Sequence, residues 1–595
     1  MATQENKIFR LLKVLREGFS DYKWQIVLLA ILSFIGGILE GIGINAIIPL
    51  FSFVIGGGNE VTDTISKAIV KFFLYFNFGH NVNYLLILIA VLFLGKAIFL
   101  FISNFLTIFI RRNYEKKTRS ELLKYFLESD WSYLSKQKIG HLDQVLITDV
   151  HSSAAILMTI STLILTLANL IIYTLLVINI SFLAAIAGLA FGVFAYFIFK
   201  PWGRKTRVIS GESAKIEKDV AHYVNENIIG MKTVKAIFTE NQVFQRGADY
   251  FHHLKNLRIK VDLFQTATNV FLQLVGIFFI LALFSFFYKS NNFNFASFAI
   301  IIYAVNRVFS GIQGVQSGIY SLNSYAPNLL SILRYKEEAK QHKEEDKGKK
   351  KFNFNNQLAF QQISFSYDGK EKILSGVNFS LKNGEFVGLI GASGAGKTTI
   401  VDLFLRLLKP QEGKILLDGE DIFDISLKEW RTNIGYVSQD IFLINDTILN
   451  NIKFYNEQIS DEDVSAAAKM ANIYDFVQKQ PNGFETMVGE RGIRMSGGQR
   501  QRIVLARVLA RKPQILILDE ATSALDNESE IAVQKAIDSL RGKITVFAIA
   551  HRLSTIINSD HLIVLENGKV LEEGAPKELL KNEESYFSKV YNLKK

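Results

Sequence analysis

Cysteine is absent from all 595 residues of the chain. The protein therefore has no disulfide bond, no thiolate metal site and no catalytic thiol, which excludes several classes of enzyme. Charged residues are also scarce, at 21%, whereas 49% of the residues are hydrophobic. A chain of this length and apolarity exceeds the usual size of one soluble domain. We expect several domains, at least one of them in a lipid bilayer.

The net charge of +11 is unevenly distributed along the chain. Residues 1–351 contain 38 Lys/Arg and 24 Asp/Glu, a difference of +14, and the remainder contains 29 and 32, a difference of −3. The basic excess thus lies wholly in the apolar part, which favours membrane topology over nucleic-acid binding. We predict no nucleic-acid partner.

Six apolar segments meet or exceed the roughly 20 residues that a helix needs to cross a bilayer. The third and fourth are separated only by a tight turn at Asn179 and Ser181. A basic, amphipathic N-terminus without a small-residue cleavage site predicts a helix on the cytoplasmic face rather than a signal peptide. We predict a membrane domain over residues 1–335, with spans at about 24–56, 83–110, 154–178, 180–200, 264–289 and 295–330.

The placement of Lys and Arg predicts the orientation of these spans. Residues 1–23, 111–153 and 200–262 contain 5, 8 and 12 of them, against 3 in the opposite loops. Both termini and the two long loops are therefore predicted to be cytosolic. The loops have helical patterns, so we expect the spanning helices to continue well into the cytosol. On the outer side, an apolar stripe predicts an amphipathic helix with Ile65, Ala68, Ile69, Phe72, Phe73 and Phe76 on one face.

The sequence pattern changes after a highly charged stretch at residues 336–351, which is typical of a solvated helix end and linker. From residue 352 to 595, short β-rich runs alternate with helical segments. This alternation predicts an α/β domain with a largely parallel sheet. The predicted fold class is thus a six-helix transmembrane domain with long cytoplasmic helical loops, followed by an α/β P-loop domain.

A glycine-rich turn follows the strand FVGLI and opens a helix, which is the context that a P-loop requires. Its backbone N–H groups can surround the phosphates of a nucleotide, Lys397 supplies a cation, and the Thr398 hydroxyl can bind Mg²⁺. The motif comprises Gly391, Ala392, Ser393, Gly394, Ala395, Gly396, Lys397, Thr398 and Thr399.

A second apolar strand, ILIL, is followed directly by Asp519 and Glu520. These residues lie at its carboxyl end, where parallel sheets bind ligands. Asp519 suits a partner of Mg²⁺, and Glu520 suits a base for the attacking water. The sequence therefore predicts an ATP hydrolase with ATP and Mg²⁺ as cofactors.

Between these motifs stands MSGGQRQR, and with it the chain resembles the ATP-binding-cassette (ABC) family. SGGQ is that family's signature, preceded here by Met495 where the family usually has Leu. The resemblance implies that Tyr367 stacks on adenine, that Gln439 is the Q-loop residue near Mg²⁺ and the attacking water, and that His551 is the switch histidine. It further implies nucleotide contacts from the signature and D-loop residues Ser496, Gly497, Gly498, Gln499 and Asp526.

Six spans before one cassette resemble a half-transporter of the exporter type. In such exporters the signature of one subunit covers the ATP on the P-loop of another. Because every motif of the nucleotide site is intact in this chain, we expect a homodimer with two active sites in the cytoplasmic membrane.

Three charged residues lie within the predicted spans: Glu40, Lys96 and Arg307. Counting about 1.5 Å per residue from the outer ends places both cations near the midplane. Charge in hydrocarbon is costly, so each residue is a candidate for the transport pathway. The cations could bind an anionic headgroup with Glu40 as counter-ion. A structural Glu–Lys or Glu–Arg pair that locks the helices is the alternative.

The first span, the outer helix and these cations resemble the bacterial flippases of lipid-linked oligosaccharides, which implies a lipid-linked glycan as substrate. A phospholipid or lipid A flippase and a multidrug exporter are alternatives. An ATP-gated channel or sensor also fits the architecture, but the intact Glu520 disfavours it because gating tolerates the loss of hydrolysis.

Overall fold

The structure is a computed structural model that describes residues 15–16, 18–50, 64–75, 82–137, 139–287, 295–367, 369, 371–520, 527–550 and 556–593. The chain divides into two compact units. The helical unit comprises Met1–Ser129 and Tyr133–Lys343, and the α/β unit comprises Asp130–Ser132 and Glu344–Lys595.

The helical unit contains long helices joined by short ones. Its helices are α1 Lys23–Asn45, α2 Thr64–Tyr75, α3 Val82–Leu127, α4 Trp131–Leu134, α5 Ile139–Gln144, α6 Val150–Ile180, α7 Phe182–Ile229, α8 Met231–Ala236, α9 Glu240–Phe287 and α10 Phe295–Gln341, with a π-helical turn at Val145–Asp149 before α6.

Four of these helices are far longer than a bilayer crossing requires. Helices α3, α7, α9 and α10 have 46 to 48 residues. At about 1.5 Å per residue, each is roughly 70 Å long, twice the 30 Å of a hydrocarbon core. Such lengths fit helices that continue well beyond the membrane.

Among the described residues, five helical segments are long and apolar enough to cross a membrane: Ser20–Leu50, Val82–Leu127, His141–Ile180, Glu240–Ser285 and Phe298–Gln341. The predicted fourth span lies in α7, where many side chains are outside the description, so its crossing stays a prediction. Ser181, which separates α6 from α7, has an extended backbone with φ −151° and ψ 106°.

Helix α2 lies between the first two long helices and buries part of the predicted apolar stripe. Ile69 and Phe73 are buried against Ala46 and Leu85, whereas Phe72 is about half exposed. One face of the helix is therefore packed against its neighbours, and another face is exposed among the described residues. Phe76, the last residue of the predicted stripe, lies outside the described residues.

The α/β unit contains two sheets. Its strands are β1 Gln357–Phe365, β2 Leu374–Lys382, β3 Phe386–Gly391, β4 Glu412–Leu417, β5 Glu420–Asp421, β6 Ile434–Val437, β7 Ile515–Asp519, β8 Thr545–Ile549, β9 His561–Glu566 and β10 Lys569–Gly574. Strands β2-β1-β4-β5 form an antiparallel sheet, and the six-stranded sheet has the order β10-β9-β3-β8-β7-β6. Only β10 is antiparallel within the larger sheet.

Helices pack around the larger sheet, whose strands β7 and β8 are buried at every position. Continuous apolar runs of this kind are expected where helices cover both faces of a parallel sheet. The described helices of the unit are α11 Lys397–Phe404, α12 Leu427–Asn433, α13 Ile448–Lys453, α14 Asp461–Met470, α15 Tyr474–Gln478, α16 Gly497–Leu509, α17 Asn527–Ser539, α18 Pro576–Lys581 and α19 Tyr586–Leu593.

The charged stretch at 336–351, predicted as a solvated helix end and linker, begins within helix α10. Helix α10 continues to Gln341. Beyond it, Glu344 forms a bidentate ion pair with Arg431, at 2.6 and 2.8 Å, and the backbone N–H groups of Lys349 and Lys350 donate to the carbonyl of Asp424. Residues 344–350 are therefore joined to the α/β unit by an ion pair and backbone bonds, although most of them are exposed.

Candidate functional site: a nucleotide site and an intramembrane charge cluster

The P-loop connects the carboxyl end of β3 to the start of α11. Gly394 and Gly396 have φ values of 81° and 102°, in the left-handed region that residues with side chains disfavour. A Cβ on Gly391 would collide with the carbonyl oxygen of Leu565. Glycine is thus required by the backbone conformation at two positions and by close packing at the third.

Lys397 is buried at the first position of α11. Its ammonium group donates to the carbonyls of Gly391 and Ala392, at 2.9 and 3.0 Å. Burial lowers the pKa of Lys397, and the negative charges of Glu520 and Asp519 oppose that shift. The cation is therefore held inside the loop where phosphates are predicted to bind, while Thr398 beside it is exposed.

The carboxylates predicted from the second motif lie at the end of β7. Asp519 is 6% exposed, and Glu520 follows it with a positive φ of 51°. The side-chain amide of Gln439, which follows the neighbouring strand β6, donates to Oε2 of Glu520 at 2.7 Å. The structure thus brings Gln439, Asp519 and Glu520 together at one edge of the sheet.

Tyr367 follows β1 and contacts the start of α11. Its hydroxyl lies 3.3 Å from Oγ1 of Thr399, and its ring is about half exposed and packs edge-on against Phe365. An exposed aromatic face next to the P-loop fits the predicted stacking on adenine. That role stays a prediction.

The signature forms the beginning of α16. Ser496 caps this helix: its hydroxyl accepts from the backbone N–H of Gln499, whose side chain accepts from the backbone N–H of Ser496. Among the described residues, both bonds join groups at the N-terminus of the same helix. Gly497 and Gly498 follow at a helix N-terminus, which favours an anion.

Two predicted site residues, His551 and Asp526, lie outside the described residues, as do Ser523, Ala524 and Leu525 of the same motif. Their roles stay predictions.

Two residues that the motifs did not identify lie beside Asp519. The hydroxyl of Tyr436 donates to Oδ2 of Asp519 at 3.3 Å, and burial together with the charge of Asp519 raises the pKa of that hydroxyl. Burial, then the charge of Asp519, raises the pKa of Asp402 to about 6. Tyr436 stands in the same YVSQ run as Gln439, so its place in the sequence could have identified it as a residue of the site. No motif in the sequence indicated Asp402.

Arg507 of α16 was also missed by the sequence motifs. Its guanidinium donates to the carbonyls of Asn451 and Phe442 and to Oδ1 of Asn451, at 2.7 to 3.1 Å, and lies 4.2 Å from the ring centre of Phe454. Burial lowers the pKa of Arg507 to about 10. The residue fixes the signature helix to α13 and to the segment that follows Gln439.

The three charged residues within the predicted spans meet at one carboxylate. Oε1 of Glu40 lies 2.7 Å from Nζ of Lys96 and 3.7 Å from Nη2 of Arg307. Nε of Arg307 also donates to the Tyr303 hydroxyl at 2.9 Å. Within a single chain, the carboxylate of Glu40 thus bridges both cations.

A cavity of about 240 Å³ lies beside this cluster, lined by residues of α1, α3, α6 and α10. Glu40, Lys96 and Arg307 contribute to its wall together with Asn169 and Tyr173. A polar cavity between apolar helices is the kind of site that membrane proteins use for a pathway or a ligand.

A P-loop ATPase unit together with membrane-length helices defines the class of protein as a membrane-bound ATPase. Sequence comparisons agree with this class. A sequence model described as "ABC transporter transmembrane region" matches residues 26–322, and one described as "ABC transporter" matches residues 374–523. The chain belongs to the ABC transporter family.

Several similar proteins carry the name ATP-dependent lipid A-core flippase. The protein of Desulfotalea psychrophila is 37% identical over 402 residues, covering 66% of this chain and 69% of its own length. The protein of Syntrophus aciditrophicus is 32% identical over 526 residues, covering 84% of each. The chain is thus similar to flippases over most of its length, and it is an ATP hydrolase coupled to transmembrane transport.

A solved structure described as a bacterial Atm1-family ABC exporter with ATP bound has the same fold. The TM-score is 0.79 at 23% identity, and the match covers 98% of this chain and 99% of the other. This likeness confirms the predicted fold class: a helical transmembrane domain followed by an α/β nucleotide-binding domain.

Proposed function

We propose that the chain is half of a homodimeric flippase that uses ATP to move an amphipathic lipid with an anionic headgroup across the cytoplasmic membrane. The observation that carries the proposal is the cavity between the helices whose wall contains the charged side chains of Lys96 and Arg307. The names of the relatives support a lipid as substrate. They name lipid A-core and not the lipid-linked oligosaccharide that the sequence resemblance implied, so the proposal is limited to an anionic lipid and includes both.

In the nucleotide unit, the residues divide the work of hydrolysis. Lys397 and the P-loop N–H groups bind the phosphates and stabilise the charge that develops on them. Glu520 accepts a proton from the attacking water, and the amide of Gln439 holds its carboxylate in place at 2.7 Å. Tyr367 binds the base, and His551 contacts the γ-phosphate.

The residues of the site suit Mg²⁺, a cation that prefers oxygen ligands. The Thr398 hydroxyl is exposed at the P-loop, and Asp519 lies at the end of β7. Because the amide nitrogen of Gln439 donates to Glu520, its amide oxygen remains for a metal. These three residues would hold the ion together with the nucleotide phosphates, and the ion would neutralise phosphate charge.

Two copies of the chain complete the sites in this proposal. The signature helix α16 begins with an exposed Ser496 and the N–H groups of a helix terminus, which suit a phosphate. We assign these groups, with Asp526, to the nucleotide held by the P-loop of the second subunit. Both termini and both nucleotide units are then cytosolic.

A reconstituted system tests the proposal. The dimer is placed in phosphatidylcholine nanodiscs with increasing amounts of an anionic lipid, and ATP hydrolysis is measured against each sample's own basal rate, together with native mass spectrometry of co-purified lipids. We expect stimulation by the anionic lipid and a weaker response from the Lys96→Gln/Arg307→Gln variant.

Lys71→Gln is the matched control, since Lys71 is an exposed cation of the same unit on helix α2. An equal loss of stimulation in the control, or no response of the wild type to any anionic lipid, would contradict the proposed substrate class. ATP-dependent ion currents would instead indicate a channel.

A further inference from the structure

The chain passes between its two units at three points, and contacts within the helical unit join these points to one another. The helical unit ends at Ser129, resumes at Tyr133 and ends again at Lys343. The first two points lie in the loop between α3 and α6, and the third follows α10. Because a displacement of the α/β unit can travel along the chain into the helical unit only at these points, the contacts between them determine how it is distributed.

Tyr133 of α4 binds the end of α10. Its ring is buried, with 6% exposed, and stacks on the ring of His342 at a distance of 4.9 Å between the ring centres and an angle of 10° between the ring planes. Its hydroxyl donates to Oε2 of Glu338 at 3.4 Å. One side chain of the loop therefore contacts two residues that are one helical turn apart.

A second connection joins the start of the loop to the residue after His342. Ser129 and Lys343 lie opposite each other in an antiparallel bridge. The buried hydroxyl of Ser129 donates to the carbonyl of Ala339 at 3.4 Å, and Nζ of Lys343 lies 3.1 Å from Oε2 of Glu128. Backbone, hydroxyl and ionic contacts thus add to the stacked rings.

An apolar cluster extends these contacts into the long helices. Tyr133 packs with buried side chains of α3, the π-helical turn, α6 and α10, namely Leu122, Phe126, Val145, Val150, Ile332 and Ala339. Close-packed interiors have low compressibility and transmit displacement. A displacement of α4 together with the end of α10 therefore reaches α3, α6 and α10.

The connection between α10 and the α/β unit has little slack. Only Lys343 separates His342 from Glu344, so these two residues are at most about 7 Å apart. Glu344 is held by its bidentate ion pair with Arg431. A displacement of the α/β unit is thus passed directly to the end of α10, and the contacts of Tyr133 determine whether the loop follows.

We infer that Tyr133 is a positioning residue for the coupling of ATP hydrolysis to transport: by binding the end of α10, it makes the three points of passage move as one body. Helices α3, α6 and α10 then respond together to the α/β unit. Since the nucleotide motifs lie in the α/β unit, loss of this contact should leave hydrolysis in progress but separate it from the movement of the helices. The contact itself should persist throughout the transport cycle.

The absence of native cysteine allows a direct test with an introduced label. A gadolinium label attached through a thioether to Leu86→Cys, an exposed position near the start of α3, gives one distance between the subunits of the homodimer, a part of the proposed function on which this test rests. Pulsed electron paramagnetic resonance measures that distance in nanodiscs without nucleotide and with ATP and vanadate. In Tyr133→Ala we expect continued ATP hydrolysis and a change in distance less than about half that of the protein carrying the label alone.

Two further variants show whether the stacked ring of Tyr133 is responsible. Tyr133→Phe keeps the ring and should retain the change in distance. Tyr250→Ala is the matched control, because Tyr250 of α9 pairs with Tyr223 of α7 at 5.3 Å between ring centres, in helices that contain none of the three points of passage. It should also retain the change.

A disulfide tests whether the contact persists. Ser129→Cys/Lys343→Cys places cysteines at bridge partners, and the Cα atoms of such antiparallel partners lie about 4.5–5.5 Å apart, within the range of a disulfide. The disulfide is formed with an oxidant before the label is attached at position 86. In Tyr133→Ala it should restore the change in distance, and a reductant should abolish the restored change.

The outcomes distinguish this inference from the proposed function. A full change in Tyr133→Ala, or an oxidised Ser129→Cys/Lys343→Cys protein that hydrolyses ATP without any change in distance, would overturn the role of Tyr133. The second result needs only an intact Tyr133, so it decides even if Tyr133→Ala fails to fold. A protein with the label alone in which ATP changes no distance would instead contradict the proposed ATP-driven homodimer.

Discussion

The side-chain amide of Gln439 donates a hydrogen bond of 2.7 Å to Oε2 of Glu520, a residue 81 positions later. The two meet because β6 and β7 are adjacent parallel strands whose carboxyl ends share one sheet edge. The bond limits the rotamers of both side chains, so the carboxylate is already oriented. It also ties the Q-loop to the proposed catalytic base.

Replacing Glu520 by Gln should preserve ATP binding and reduce turnover to less than about a tenth of the wild-type kcat, a loss of more than about 1.4 kcal/mol in transition-state stabilisation. The amide keeps the shape and can still accept from Gln439, but it has no basicity. Nucleotide binding and steady-state ATPase assays measure both effects. Glu457→Gln, at an exposed position of the same unit, is the control. Turnover above a tenth would show that Glu520 is not the base.

Mixed dimers test whether the signature acts on the opposite nucleotide. Lys397→Ala should weaken both binding and hydrolysis, because the cation contacts the phosphates in ground and transition states. Pairing Lys397→Ala subunits with Ser496→Ala subunits should concentrate both lesions in one site and leave the other whole, so about half of the wild-type sites remain competent. Photolabelling with a nucleotide analogue counts them. Two equally damaged sites would contradict the sandwich.

Loss of Arg507 should destabilise the α/β unit. Arg507→Ala removes three hydrogen bonds and leaves the carbonyls of Asn451 and Phe442 without their donor, so we expect the free energy of unfolding to fall by about 2–4 kcal/mol. Arg511→Ala is the matched control, because Arg511 makes one bond of 3.3 Å to the Phe454 carbonyl. Denaturant titration compares them, and equal effects would refute a special role of Arg507.

Asp402 should make stability depend on pH. Its pKa in the folded protein is about 6 against an ordinary value of 3.8, so the native state binds the proton more tightly and the free energy of unfolding falls as pH rises through this interval. Asp402→Asn should therefore be more stable than the wild type at pH 7.5, by about 1–3 kcal/mol after allowance for partial exposure.

This advantage should shrink as the pH is lowered to 5, where Asp402 is increasingly protonated in the native wild type. Thermal unfolding in EDTA without nucleotide measures it, as a shift of several degrees at pH 7.5. An advantage of equal size at both pH values would contradict the assigned cause.

The nucleotide site was the part most accessible to sequence reasoning. A P-loop motif determines its local geometry through glycines and one lysine, and an apolar strand predicts where the next two carboxylates appear. Residues that act through tertiary packing gave no such signal. Asp402 and Arg507 stand in ordinary helical surroundings, and only the packing of α11 and α16 gives them their environments.

The charge cluster illustrates the same limit in the helical unit. Counting residues placed Lys96 and Arg307 at a common depth, but depth does not determine the direction in which a side chain points around its helix axis. That direction follows from the way the helices pack at Gly37, Gly41 and Gly311. A pattern of hydrophobicity does not show which residues form such contacts. For the same reason the sequence did not predict the ion pair of Glu344 with Arg431, which joins the exposed stretch at 344–350 to the rest of the α/β unit.

Helix α6 contacts two other helices through their glycines: Ile172 meets Gly37 and Gly41 of α1, and Thr166 meets Gly314 of α10. Inserting or deleting one residue between Thr166 and Ile172 would turn one of these contacts by about 100° relative to the other. Side chains would then enter spaces that only a hydrogen atom fits. Related chains that keep this arrangement should therefore align without gaps across this short stretch, even where the lengths of their loops diverge freely.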